Sequence, residues 1–332
     1  MDIRPELIDR FKDKHICVVG DVIADIYIYG KPHKLSREAP VVVIRYEHEN
    51  ICPGSAGNTI NNLLALGAYV HPVSCLGRDE AGDKLYAHFS AYEKIDLDGL
   101  VRYDGRTVTK TRILAGDTHT SKQQVIRVDR EMEAPPPAAL RHDLRRKLAA
   151  IAPHVDAIIL SDYEYGLIDG EMRATAAEAA RGKIVVGDSR HHLREFKGLT
   201  LITPNESEAY ALAGLTEEAD VGEVGSRIIG FMDVEALLIT RGNKGMALFL
   251  KDGRVHYIPI YGSDEIADVT GAGDTVAAAA TLALASGAGF YAASYIANCA
   301  AGIVVTKTGT AVVTADELKR AIEKEEPRDE GR

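Results

Sequence analysis

Apolar residues recur along this chain in two rhythms. The runs HICVVG at 15–20, VHPVSCLG at 70–77, AIILSD at 157–162, KIVVGD at 183–188, TLITP at 200–204 and ALLITRG at 236–242 are short and largely apolar. That is the pattern of strands buried on both faces. Between them lie stretches with helical spacing. In AGNTINNLLALGA at 56–68, Ile60, Leu63, Leu64 and Gly67 fall on one side, and similar stretches cover 80–93, 138–152, 169–181, 205–214 and 221–231. MALFLK and VHYIPI predict a hairpin turning at Asp252-Gly253, and three helices at about 273–286, 289–305 and 315–324 close the chain. Buried strands alternating with helices predict an α/β fold, a doubly wound, mostly parallel sheet with helices on both faces.

Two segments break that alternation. ADIYIYG at 24–30 and VVVIRYE at 41–47 are rich in β-branched and aromatic residues, as are TVTKTRIL at 107–114 and QQVIRVD at 123–129. No helical pattern separates the members of either pair, so they predict a second, small β-sheet. The Pro-rich APPPAA at 134–139 can neither continue a helix nor complete a ladder, and it marks the return to the main pattern. The expected organisation is one domain over 13–320, with lid strands from about 23–48 and 100–130, and a flexible tail at 321–332.

Composition narrows the function classes. The 332 residues are 46% hydrophobic and 27% charged, as in a folded globular protein, and no apolar run approaches the ~20 residues that span a bilayer. A charged N-terminus without an apolar core is unlike a secretory signal, so the expected location is the cytoplasm. The net charge of −10 argues against nucleic acid or an acidic membrane as partner. Cys17, Cys52, Cys75 and Cys299 form no C-x-x-C pair and are expected to be reduced and structural. The adjacent pair His191-His192 reads as a surface loop, because neighbouring residues seldom converge on one ion.

The candidate chemistry lies where predicted strands end. Asp21, Asp162 and Asp188 follow three of them, Asn205 and Arg241-Gly242 two more, and the carboxyl edge of such a sheet is where ligands bind. Any one of these residues alone is as readily a helix cap. The stretch ADVTGAGDT at 267–275 places a glycine turn at the start of a helix, where orphan amides and the helix dipole attract anions. A carboxylate there, Asp274, repels phosphate unless it takes a proton from an attacking hydroxyl. The motif is neither a P-loop nor a dinucleotide fingerprint. Far upstream, PGSAGN at 53–58 supplies Gly54 and Gly57 for close backbone approach and Asn58 for hydroxyl recognition. Its spacing is not that of a serine-hydrolase elbow.

PGSAGNTINNLLALGA and DVTGAGDT, in this order, resemble the two signatures of the ribokinase-like (PfkB) carbohydrate kinases, and the likeness covers nearly all of 15–318. Within that family the chain is most similar to the D-glycero-β-D-manno-heptose 7-phosphate kinases, through VVGDVIADIYIYG…LSREAPVVVI, TKTRIL…QQVIRVD, SDYEYG, TPNESEA, TRGNKGM and NCAAGIVVTKTGT. The resemblance implies a ribokinase-like fold with a small β-sheet lid. It implies Asp274 as catalytic base, with Thr270, Gly271, Ala272 and Gly273 around the transferred phosphoryl group. Asp21, Asp25, Gly54, Ser55 and Asn58 fall on the sugar side, with Asp162 at the same edge. Asn205 and Glu208 match an N-x-x-E motif that organises Mg²⁺, usually through water. Thr240, Gly242, Gly245 and Asn298 fall at the ATP site, and Asp268, with backbone near Lys307 and Gly309, at a loop that binds a monovalent cation such as K⁺.

A phosphorylated sugar needs local cations, and Lys110, Arg112 and Arg127 on the second β-rich segment are the candidates. The chain also departs from the heptose kinases. Ile26 stands where they carry a basic residue, Tyr165 replaces a lysine, and DSRHH replaces DPKG, with Arg190 keeping a charge. These losses leave a kinase of another sugar or nucleoside open, and a sugar-sensing protein without catalysis is a third reading. The partners expected are a small sugar or sugar phosphate and a second copy of the chain, joined through the apolar face of the lid.

Overall fold

The structure is a computed structural model. It describes residues 5–116, 122–179, 181–262 and 267–324. The nine-stranded main sheet runs in the order β13-β12-β11-β10-β9-β8-β1-β4-β5. Its members are β1 (His15–Gly20), β4 (Tyr69–Gly77), β5 (Leu100–Tyr103), β8 (Ala157–Asp162), β9 (Ile184–Ser189), β10 (Leu199–Ile202), β11 (Val234–Thr240), β12 (Met246–Leu250) and β13 (Val255–Ile258). All neighbours pair in parallel except at β12, which runs antiparallel to β11 and β13.

Side-chain alternation on β1 shows why its run is apolar throughout. Ile16 and Val18 enter one core with Ile60 and Leu63 of α1 (Ala56–Ala65), Leu85 of α2 (Glu80–Ser90), and the buried faces of α7 (Ala272–Ala285), α8 (Phe290–Val304) and α9 (Ala315–Lys324). Cys17 and Val19 enter the other, with Leu144 and Leu148 of α3 (Ala138–Ile151), Met172 of α4 (Gly170–Ala179), Ala209 of α5 (Glu206–Ala213) and Val224 of α6 (Val221–Phe231). Each fully buried Leu or Ile contributes about 1.5–3 kcal/mol, so the two cores fix the three-layer arrangement. α7 is sheathed on most sides, which its alanine-rich AGDTVAAAATLALA permits. Cys17, Cys52 and Cys75 are free thiols, and burial pushes those of Cys17 and Cys75 up to about 12.

The small sheet has the order β3-β2-β6-β7, built from β2 (Val22–Leu35), β3 (Val42–Ser55), β6 (Thr109–Ala115) and β7 (Gln123–Arg130). β2 and β6 pair in parallel with Asp25 opposite Lys110 and Tyr27 opposite Arg112. β7 adds Asp129 opposite Lys110 and Arg127 opposite Arg112. The period of two therefore puts Asp25, Tyr27, Lys110, Arg112, Arg127 and Asp129 on one face and Ile26, Ile28, Ile113, Ile126 and Val128 on the other.

Two segments depart from the sequence reading. The strand at 100–103, expected in the small sheet, pairs instead with β4 at the edge of the main sheet, with Ser74 opposite Leu100. Leu100 is buried there, and that hydrophobic gain decides its place. A 3₁₀ helix at Pro5–Asp13 buries Ile8 and Phe11 in the first core, although charged residues hide its periodicity. Of the tail expected at 321–332, residues 321–324 form the last turn of α9 and the rest lies outside the described residues. Among the described residues, no helix is long and apolar enough to cross a membrane.

Candidate active site

The carboxyl ends of β1, β8, β9, β10 and β11 lie side by side, so Asp21, Asp162, Asp188, Asn205 and Arg241 share one edge. A cavity of about 780 Å³ opens there, lined by Asp162, Tyr163, Asp188, Asn205, Glu208 and Asp274 among others. Thr240, Gly242, Gly245 and Asn298 line it as well. Its size is that of a small-molecule site.

The glycine turn closes the cavity's floor. Gly271 adopts φ 81°, in the left-handed region that favours glycine, and α7 begins at Ala272. First-turn amides have no acceptor inside a helix. That of Ala272 is donated to Val269 O at 3.2 Å, which leaves Gly273 and Asp274 to offer theirs to a ligand. Thr270 does not line the cavity; its amide is donated to Asp268 Oδ1 at 2.9 Å. The other oxygen of Asp268 accepts from Gly309 N at 3.1 Å, so the residue expected beside a monovalent cation ties together the two loops expected to hold it.

Asp274 is only 3% exposed. Asn58 Nδ2 donates to its Oδ2 at 2.9 Å, while Tyr163 Oη at 2.9 Å and Thr59 Oγ1 at 3.4 Å donate to Oδ1. Burial pushes its pKa up to about 6, with the hydrogen bonds from Asn58 and Tyr163 opposing that rise. A carboxylate with that value is ionised at neutral pH and is basic enough to accept a proton. Asn58 is held in turn by Asn62, whose Nδ2 reaches Asn58 O at 3.0 Å, and Asn62 accepts from Thr275 Oγ1 at 3.1 Å. The spacing of four between Asn58 and Asn62 thus faces α7, a polar seam between two otherwise apolar helices.

On the lid side, Gly54 lies against Asp25: a Cβ there would sit 2.2 Å from Asp25 Oδ2. Ser55 precedes α1 at φ 56° and ψ −130°, a strained conformation for a residue with a side chain. Asp25 accepts from Arg112 at 2.5 Å, and Arg112 also lies over the Tyr27 ring. Arg127 pairs with Asp129 on its own strand at 2.7 Å and is exposed. Two of the three expected cations are therefore neutralised. Lys110 is 5% exposed, makes no hydrogen bond or ion pair among the described residues, and lies over the rings of Tyr163 and Tyr165. Burial lowers its pKa, and Arg190 nearby adds to that.

Several strand-end residues also serve the fold. Asp21 Oδ2 accepts from the amides of Tyr163 at 3.0 Å and Tyr165 at 3.3 Å, and burial together with Asp162 pushes its pKa up to about 7. Asp162 accepts from Ser189 Oγ and His192. Asn205 and Glu208 form a reciprocal capping box on α5, each donating its amide to the other's side chain at 2.9 Å. Glu208 nonetheless lines the cavity beside Asp188, and both carboxyl groups are pushed up, chiefly by burial and in Asp188 also by the charge of Glu208. Two crowded hard-oxygen donors facing a phosphate-sized space fit Mg²⁺, and no group of three such ligands exists among the described residues. That donor set suits an ion that keeps most of its water.

Tyr163, Thr59, Asn62 and Arg190 are the site residues that the sequence reading left unassigned. Tyr163 directly follows a strand-end aspartate, and that adjacency was its signal.

A mostly parallel α/β sheet thus carries a glycine turn at a helix start, a buried carboxylate beside that turn and a small second sheet, an arrangement suited to holding an anion next to a proton acceptor. The pfkB family carbohydrate kinase model matches residues 13–317, and the chain belongs to that family. It is therefore a phosphotransferase with a hydroxyl acceptor. The chain is 39% identical over 313 residues to the bifunctional protein HldE of Geobacter metallireducens, covering 92% of this chain and 62% of that protein. It is 38% identical to HldE of Azorhizobium caulinodans, covering 93% and 64%. The chain thus spans less than two thirds of the length of these curated relatives. Among solved structures, ribokinase of Arabidopsis thaliana, complexed with ribose and ATP, superposes with a TM-score of 0.73 at 21% identity, covering 93% of this chain and 99% of that one. Phosphofructokinase-2 of Escherichia coli gives 0.78 at 15%, covering 94% and 99%. These two share the fold.

Proposed function

We propose that this kinase transfers the γ-phosphoryl group of ATP to the anomeric hydroxyl of D-glycero-D-manno-heptose 7-phosphate, a step towards ADP-heptose for lipopolysaccharide. Asp274 takes the hydroxyl proton, the freed oxygen attacks the γ-phosphorus in line, and ADP leaves. The amides of Gly273 and Asp274 stand at the anion site where charge develops on the transferring group. Glu208 and Asp188 would hold Mg²⁺ through water, and the bound ion would neutralise phosphate charge. Thr240, Gly242, Gly245 and Asn298 line the space for the nucleotide.

The observation that carries the reading is the position of Asp274, buried beside unsatisfied first-turn amides and joined through Asn58 to the acceptor side. The phosphorylated acceptor rests on Lys110, a buried ammonium that makes no ion pair among the described residues, although Asp25 and Asp129 lie near enough to act on it. A dianion placed there gains a charge-assisted partner. A second reading, an unphosphorylated sugar or a nucleoside, draws support from the pairing of Arg112 with Asp25 and Arg127 with Asp129, which leaves fewer cations to spare.

The same reading includes a dimer. Ile126 and Val128 are about half exposed on the lid face opposite Lys110, and a second copy of that face would cover them. A need for ATP suits the cytoplasm, and Asp268 suits a dependence on K⁺, to which no step is assigned.

ADP release from Mg·ATP, measured with a panel of sugars and sugar phosphates, tests this. Heptose 7-phosphate should give the highest kcat/KM. If an unphosphorylated sugar gives it, the heptose-phosphate assignment fails; if no sugar or sugar phosphate exceeds background, the acceptor is a nucleoside or another hydroxyl compound.

A further inference from the structure

We infer that Tyr163 is the positioning residue for Asp274: its hydroxyl fixes Oδ1 so that Oδ2 is the oxygen that receives the acceptor's proton. The inference rests on the reading of Asp274 as base.

Lone-pair counting supports it. A carboxylate oxygen has room for about two hydrogen bonds. Oδ1 accepts from Tyr163 at 2.9 Å and Thr59 at 3.4 Å, whereas Oδ2 accepts only from Asn58 at 2.9 Å among the described residues. Oδ2 is also the oxygen facing the anion turn, 3.7 Å from where a Gly271 Cβ would sit. The acceptor hydroxyl therefore docks on Oδ2, next to the transferring phosphoryl group.

The chain holds Tyr163 in this pose from three directions. Asp21 Oδ2 clamps the amides of Tyr163 and Tyr165, and Asp162 Oδ1 accepts from Glu164 N at 3.0 Å. Glu164 lies at φ 68°, a left-handed conformation that costs a residue with a side chain energy, so the turn is held there by its surroundings. On the ring, Arg190 lies at 5.0 Å and Lys110 at 5.6 Å from the centroid. Cations over a phenol draw electron density from it and make its hydroxyl a stronger donor. Burial of the hydroxyl and the adjacent Asp274 charge keep the phenol protonated.

The test is a titration of the Asp274 carboxyl carbon by NMR, in the native chain and in Tyr163→Phe, alongside the acid limb of kcat/KM. Loss of one donor to the ionised form should move the midpoint from near pH 6 to higher pH by roughly one unit, with the limb following. An unmoved midpoint overturns the inference. If the midpoint moves and the limb does not, Asp274 is not the base, and the proposal falls with that reading. Should Tyr163→Phe fail to fold, 3-fluorotyrosine at position 163 keeps the hydroxyl and strengthens it as a donor. Midpoint and limb should then move to lower pH, and a shift in the other direction, or none, overturns the inference.

Discussion

Asn58 and Asp274 meet across the two halves of the molecule: one Asn58 amide nitrogen lies 2.9 Å from Asp274 Oδ2 and 3.2 Å from Gly271 O. A single side chain thus joins the upstream glycine motif to the proposed base and to the glycine turn at the start of α7. A Cβ on Gly271 would lie 2.3 Å from that same nitrogen, so glycine is required there by contact as well as by φ.

Asn58→Ala removes a donor to the ionised form of Asp274 and the brace on Gly271. kcat/KM should fall by about 10- to 100-fold at neutral pH, the effect of losing one hydrogen bond to a charged group. Steady-state kinetics across pH, with circular dichroism to verify folding, checks this.

Gly54→Ala would drive a methyl group into Asp25, which is bound to Arg112. Displacement of that pair should raise the acceptor KM by roughly tenfold while the ATP KM holds steady. Equal rises in both would show that Gly54 serves the fold instead of the acceptor side.

Lys110→Met keeps the stem and removes the charge. Under the sugar-phosphate reading, kcat/KM should drop by about tenfold or more for a phosphorylated acceptor and by far less for its unphosphorylated counterpart. A comparison of the two acceptors in native and variant protein checks it.

Much of the architecture was legible in the chain. The runs HICVVG and AIILSD announced themselves because strands buried on both faces need no polar alternation, and the two glycine motifs stood out because their residues serve backbone geometry. What was not legible depends on contacts distant in sequence. LVRY at 100–103 has the composition of a lid strand, and only its pairing with β4 puts it in the main sheet. Arg112 reads as a free cation because the pattern of one strand cannot show which carboxylate of a neighbouring strand faces it, whereas Asp129, two residues on from Arg127 and on the same face, was within reach of the period of two. Tyr163 lies 111 residues from the aspartate it bonds, and Thr59 lies 215, so no local rule connects them.

Asp188→Asn separates stability from activity. Burial and Glu208 hold the carboxyl group of Asp188 above its ordinary range, so the folded state favours its protonated form. The stability it contributes is present at low pH and is lost as pH rises through its folded value. The neutral amide should therefore raise Tm at pH 8 and leave it nearly unchanged near pH 4, while activity with Mg·ATP falls. Thermal unfolding at the two pH values checks the sign.

The most direct test of the account is turnover by Asp274→Asn with the best acceptor at saturating Mg·ATP, alongside nucleotide binding by calorimetry. The amide is nearly isosteric but accepts no proton, so kcat should fall by at least about 100-fold while ATP binding is retained. Turnover within tenfold of the native protein would contradict the assignment of Asp274 as the base.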